Sequence, residues 1–140
     1  MNNFIFQNAT KVYFGKGCVK EYLACLTKNA NTILLAYGGG SIKRNGVYDE
    51  IISILKEAGK TIVEFSSIMS NPTYAKVQEG AKLARDNNVD MILAVGGGSV
   101  MDCCKAVSLA ARYDGDIWDD FWARPGVIDF EPLPLGVVVT

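Results

Sequence analysis

With 140 residues, 49% of them hydrophobic and 21% charged, the chain has the length and composition of one globular domain rather than of a disordered or fibrous segment. Lys and Arg number 14 against 15 Asp and Glu, a formal net charge of −1, so no broad positive field exists to gather nucleic acid by counterion release. No stretch reaches the ~20 apolar residues of a membrane helix, and MNNFIFQNAT lacks the basic-then-apolar order of a leader, so the expectation is a cytoplasmic protein with no membrane or nucleic-acid partner.

The first elements are two short apolar runs, FIFQ (4–7) and KVYFG (11–15), read as strands paired in a hairpin around NAT. Val19, Leu23 and Leu26 then recur at helical spacing, and TILLAY (32–37) is a continuous apolar run of the kind expected for a parallel strand covered on both faces. A glycine triplet, Gly38 to Gly40, follows directly. Val47, Ile51, Ile54, Leu55 and Ala58 form a helical stripe that stops at Gly59. KTIVEF (60–65) is the next strand. Residues 71–90 read as a helix with Val77, Ala81 and Ala84 on one face and Asn71, Pro72 and Thr73 at its entry. MILAVG (91–96) is another buried strand, and a second triplet, Gly96 to Gly98, leads into a helix carrying Val100, Cys104, Val107 and Ala111. YDGDIWDDFW (113–122) reads as a turn plus a short helix, with Trp118, Phe121 and Trp122 facing the core or a partner, and PLPLGVVVT (132–140) is a last strand.

Strand and helix alternating with short connections predict an α/β fold: a Rossmann-like parallel sheet with helices on both faces, and an amino-terminal β-hairpin beside it. Ligands of such sheets sit outside the carboxyl ends of the strands, and both glycine triplets fall there. A strand-to-helix turn exposes the first unpaired N–H groups of the helix, which together with the helix dipole favour an anion. Glycines remove the Cβ atoms that would hold a phosphate away from that backbone. Gly96, Gly97, Gly98 and Ser99 therefore suit a pyrophosphate. Neither triplet fits GxGxxG, and no Walker-type lysine follows either. A plain tight turn, with Ser99 as N-cap and Asp102 as its partner in a capping box, fits the same spacing. Asp102 equally suits a ribose or carboxamide.

In dinucleotide folds the position of the first triplet reads the adenosine ribose, and an acid there would repel a 2′-phosphate. YGGGSIKR has none and offers Ser41, Lys43 and Arg44, which tilts the expectation toward NADP, beside the reading of a solvated basic loop. The chain contains no histidine, so the commonest metal ligand and general base are both missing. Cys18, Cys25, Cys103 and Cys104 have no two-pair metal spacing and read as buried free thiols in a reducing compartment, beside the reading of a redox switch.

GGGSVMDCCKA closely resembles the GGGSxxDxxK signature of the iron-type (group III) alcohol dehydrogenases, and YGGGSIKRNGVYDEI, FSSIMSNPTYAKVQEG and FIFQNATKVYFGKG resemble their butanol dehydrogenase branch over essentially the whole chain. The resemblance implies an NAD(P)-dependent, metal-dependent alcohol dehydrogenase or aldehyde reductase, a homo-oligomer such as a dimer, acting on a small alcohol or aldehyde such as butanol. It implies that Gly97, Gly98, Ser99 and Asp102 contact the pyrophosphate and the nicotinamide ribose, and that Asn71 and Pro72 line the cofactor cleft. Gly39 falls where NAD-preferring relatives carry an aspartate, with Gly38, Gly40, Ser41 and Lys43 around it, and Thr140 matches the first threonine of a further cofactor segment. Family members are similar in having a second, all-helical domain whose aspartate and three histidines hold a divalent metal, iron or zinc, and no such residues are present here. Residues 1–140 are thus expected to be the dinucleotide-binding domain, inactive alone. Two other readings remain: a stand-alone nucleotide-binding or interaction domain without catalysis, and a relative of glycerol dehydrogenase or dehydroquinate synthase, which also resemble it in using a GGGS turn.

Overall fold

The structure, a computed structural model, describes residue 3, residues 5–124 and residues 126–140. Helix α1 (Cys18–Leu26) precedes strand β1 (Thr32–Tyr37), the short helix α2 (Ser41–Arg44), helix α3 (Val47–Glu57) and strand β2 (Thr61–Phe65). Helix α4 (Tyr74–Asp86), strand β3 (Met91–Gly96), helix α5 (Gly98–Ala110), a π-helical turn (Trp118–Trp122) and strand β4 (Leu135–Val139) complete the order. The four strands form one parallel sheet in the order β2-β1-β3-β4.

Side chains alternate across the two faces because the period of a strand is two. Ile33, Leu35 and Tyr37 of β1, with Leu93 and Val95 of β3, pack against Leu23 of α1 and Ile51 and Leu55 of α3. Leu34, Ala36, Ile92 and Ala94 face the other way, onto Val77, Ala81 and Ala84 of α4 and Cys104 and Val107 of α5. Every residue of β3 is therefore buried, as the unbroken apolar run MILAVG requires. Helices cover both faces, as expected.

Local signals set the helix ends. Gly59 takes φ 71°, and the N–H groups of Gly59 and Lys60 reach the carbonyls of Lys56 and Leu55, a Schellman closure of α3. Thr73 accepts the Lys76 N–H at 3.3 Å and caps α4. That helix ends at Asp86 rather than near residue 90, because Asn88 turns left-handed (φ 50°) and its neighbour Val89 bonds back to Ala84 O. The last strand is also shorter than its run: Pro132 and Pro134 have no N–H to pair, and Leu133 N–H bonds Ser108 O instead.

Among the described residues no amino-terminal hairpin is present. Residues 5–14 contain no strand, and Phe4 lies outside the described residues. A two-stranded ribbon needs a surface beneath its apolar face, and Phe6, Val12 and Phe14 have none, Phe14 being fully exposed. Tyr13 stacks on Tyr22 of α1 with ring centres 4.5 Å apart. Residues 113–122 divide as Ile117 in the core, Phe121 packed against it, and Trp118 and Trp122 about half exposed.

Gly80 was no part of the α4 stripe read from sequence, yet it sets the approach of that helix to the sheet. A Cβ there would lie 2.8 Å from the Phe65 ring and 2.8 Å from Val107. Gly80→Val is expected to lower the unfolding free energy by about 1–3 kcal/mol through overpacking. Urea unfolding measures it, with Gly97→Ala as the control, whose Cβ meets nothing within 4 Å.

Candidate functional site

β1 and β3 are neighbours, but the chain leaves β1 for α3 on one face and β3 for α5 on the other. A crevice opens where strand order reverses in this way. Here it is an open cleft of about 320 Å³ between the two glycine turns, with Ile68 and Ser70 on one wall and Thr140 on another.

The floor of the cleft is backbone. Gly96 ends β3 and accepts the Thr140 N–H at 3.2 Å; a Cβ on it would sit 2.7 Å from Val100. Gly97 is the N-cap of α5, and its carbonyl takes the N–H groups of both Val100 and Met101 at 3.1 Å. The N–H groups of Gly98 and Ser99, in the first turn, have no partner within the helix. Cβ atoms on Gly97 or Gly98 would meet nothing within 4 Å, so the space before them is free for a ligand. Across the cleft Gly38 approaches almost as closely: its carbonyl accepts the Ser67 N–H at 3.0 Å, and a Cβ would lie 3.2 Å from Ile68 O. Two bare turns and the amino end of a 13-residue helix thus face one volume, and the residues present fit an anionic dinucleotide.

The cleft collects Gly38, Ser41, Gly96, Gly97, Gly98, Ser99 and Thr140 from the residues expected to form it. Gly39, Gly40, Lys43, Asn71, Pro72 and Asp102 do not line it. Asn71 and Pro72 follow Ser70 directly on the wall loop, where Ser67 and Asn71 are both left-handed (φ 62° and 52°). Ser99 is not the N-cap, since Gly97 holds that place without a side-chain bond; the capping box is absent because the helix starts two residues earlier than its spacing suggests. Asp102 is exposed, 3.7 Å from Lys105. Ser70 and Ile68 were missed, although SSIMSNP is the polar, strand-to-cap segment at the same carboxyl edge.

Lys43 is turned elsewhere. Its Nζ lies 4.6 Å from the centre of the Tyr48 ring and 5.3 Å from that of Tyr37. Both tyrosine hydroxyls donate to Glu64, Tyr37 to Oε2 and Tyr48 to Oε1, each at 2.5 Å. These bonds, that from Tyr37 first, hold the Glu64 carboxyl below its usual range, and the bond to Glu64 pushes Tyr48 up to about 12. Glu64 is the only charge in β2, a signal the strand pattern concealed. Burial raises the Cys103 thiol and pushes Cys104 up to about 12, which makes them inert core groups, whereas Cys25 is exposed and Cys18 half-buried, so the expected burial holds only for the pair in α5.

Among the described residues no three or more Cys, Asp or Glu side chains converge as a metal site, and the sequence has no histidine. These residues do not fit a catalytic metal.

A doubly wound parallel sheet with a glycine turn at its switch point is of the Rossmann-like class. A family model described as "Iron-containing alcohol dehydrogenase" matches residues 9–140. The chain is 46% identical over 140 residues to the probable NADH-dependent butanol dehydrogenase 2 of Bacillus subtilis (strain 168), covering 100% of this chain and 35% of that protein. It is 38% identical over 143 residues to the NADPH-dependent aldehyde reductase YqhD of Escherichia coli (strain K12), covering 100% and 36%. The crystal structure of NADH-dependent butanol dehydrogenase A from Thermotoga maritima superposes with a TM-score of 0.89 at 43% identity, over 100% of this chain and 35% of that one. The chain belongs to the iron-containing alcohol dehydrogenase family. It spans about 35% of the length of the curated relatives it matches.

Tyr48 supplies a test of the tyrosine–carboxylate geometry. Its pKa is raised from 10.0 to about 12 in the folded chain, so the Tyr48–Glu64 bond stabilises fully below pH 10.0 and the contribution is lost as pH rises through about 12. The gap in urea midpoint between the unaltered chain and Tyr48→Phe should be widest below that window and close across it. A gap constant with pH would show that the bond is not its source.

Proposed function

We propose that residues 1–140 are the dinucleotide-binding domain of an alcohol dehydrogenase or aldehyde reductase that moves hydride between NADP(H) and a small alcohol or aldehyde such as butanol. The single supporting observation is the cleft at the switch point, where the bare amino end of α5 faces the Gly38 turn. Gly97, Gly98 and Ser99 would hold the pyrophosphate on unpaired N–H groups, with Gly96 permitting the close turn and Thr140 bounding the volume. Gly38, Gly40 and Ser41 would border the adenosine side. Asp102 would serve the nicotinamide ribose, and Asn71 and Pro72 the far end of the wall. The bound nicotinamide supplies the hydride chemistry, and the protein supplies orientation and charge. Alone, these residues should bind dinucleotide weakly and turn over no substrate. The working protein is proposed to be a cytoplasmic homo-oligomer that uses iron or zinc.

The preference for NADP rests on Gly39, where a Cβ would meet nothing within 4 Å, and on the nearby cation of Lys43. NAD is a second reading, supported by the position of Lys43 outside the cleft lining. Two of the relatives named above are described as NADH-dependent.

Calorimetric titration with NADP and with NAD tests both. Binding with NADP tighter is expected, and no heat from either sinks the cofactor reading. Gly39→Asp should cost NADP about tenfold or more in affinity, since like charges in contact cost several kcal/mol, and leave NAD bound. An unchanged ratio would remove Gly39 from the preference.

A further inference from the structure

Glu64 has no place in the cleft, and the dinucleotide reading gives it no task. Counting strands outward from the proposed pyrophosphate turn, β3 carries Gly96, its neighbour β1 carries Gly38, and β2 lies one strand further, at about 5 Å per strand. Glu64 pairs in register with Leu35 and shares its face, the face covered by α1 and α3. Helix α5 and its amino end belong to the other face. A carboxylate so placed is a poor reader of a ribose in the cleft, but it is well placed to act on the loop that follows β1.

The tyrosines are its means. Tyr37 is the last residue of β1, immediately before Gly38, and is only 3% exposed. Tyr48 lies in the first turn of α3, and the two rings meet edge to face with centres 5.7 Å apart. Each ring is fixed at its hydroxyl by one oxygen of the same carboxylate. The ammonium of Lys43 then has two ring faces within 6 Å and the negative charge of Glu64 behind them. This arrangement holds the loop's cation over the two rings, outside the lining of the cleft.

We propose that Glu64 is a specificity-determining residue: through the hydroxyls of Tyr37 and Tyr48 it restrains Lys43 and so holds the preference for NADP over NAD below what Gly39 and a free Lys43 would give. The inference rests on the dinucleotide reading of the cleft. Glu64 is a positioning residue that acts on the 2′-phosphate only through Lys43. A cation–π contact at an exposed site biases a side chain by about two- to fivefold, and loss of the restraint should change the ratio of affinities by that order.

The test is a double-mutant cycle on the full chain, read as dissociation constants for NADP and NAD in the unaltered protein, Glu64→Gln, Lys43→Met and the double variant. Gln keeps the size of Glu and removes its charge, and its amide oxygen can accept from only one of the two hydroxyls. Glu64→Gln should raise the NADP:NAD affinity ratio about two- to fivefold with NAD binding nearly unchanged, and this gain should vanish in the Lys43→Met background. Should Glu64→Gln fail to fold, Tyr48→Phe releases one hydroxyl while keeping the ring, and a smaller change in the same direction is expected. A ratio unchanged by these variants overturns the proposal and leaves the cofactor reading standing. A gain of equal size without Lys43 also overturns it, since Glu64 would then act as a plain charge. Failure of the unaltered protein to bind either dinucleotide removes the cofactor reading and this inference together.

Discussion

The two central strands leave the sheet toward opposite faces, and that reversal governs the rest of the molecule. β1 feeds helices on one side and β3 feeds α5 on the other, so no connection closes the edge between their carboxyl ends. Any residue with a Cβ at Gly38 or Gly96 would press on Ile68 O or on Val100. The bareness of the two turns is thus a packing requirement and an opening for a ligand at once.

Burial on both faces is what keeps this edge rigid. β1 and β3 carry almost fully buried side chains in alternating directions, so a one-residue slip of either strand would exchange the two cores. The register from Ile33 beside Met91 to Tyr37 beside Val95 holds the Gly38 and Gly96 turns at the same height. β4 extends that alignment and brings Thr140 to Gly96. Chemistry in the cleft would rely on backbone N–H groups held in this way more than on charged side chains, which would suit the dinucleotide proposed to bind there.

Charge is managed at a distance from the floor of the cleft. Lys43 lies over two tyrosine rings rather than in the cleft lining, and the rings are tied to Glu64 on the edge strand. Membership of the iron-containing alcohol dehydrogenase family is shown by the match over residues 9–140, while these residues gather no metal-binding group among those described.

Much of the fold was legible in the chain because it depends on neighbours in sequence. Continuous apolar runs marked β1 and β3, Gly59 and Thr73 marked helix ends, and the strand-helix alternation implied a parallel sheet with its glycine turns on one edge. Where local pattern misled, a surface was missing or a start was shifted: FIFQ and KVYFG alternate like strands but have nothing to cover, and GGGS starts its helix at Gly98, leaving Ser99 inside the first turn. Tertiary structure alone decided that Gly80 seats α4 on Phe65, that Ser70 walls the cleft, and that Tyr37, Tyr48, Lys43 and Glu64 meet. The last four lie up to 27 residues apart, and no periodicity records which side chains two packed elements bring to one point.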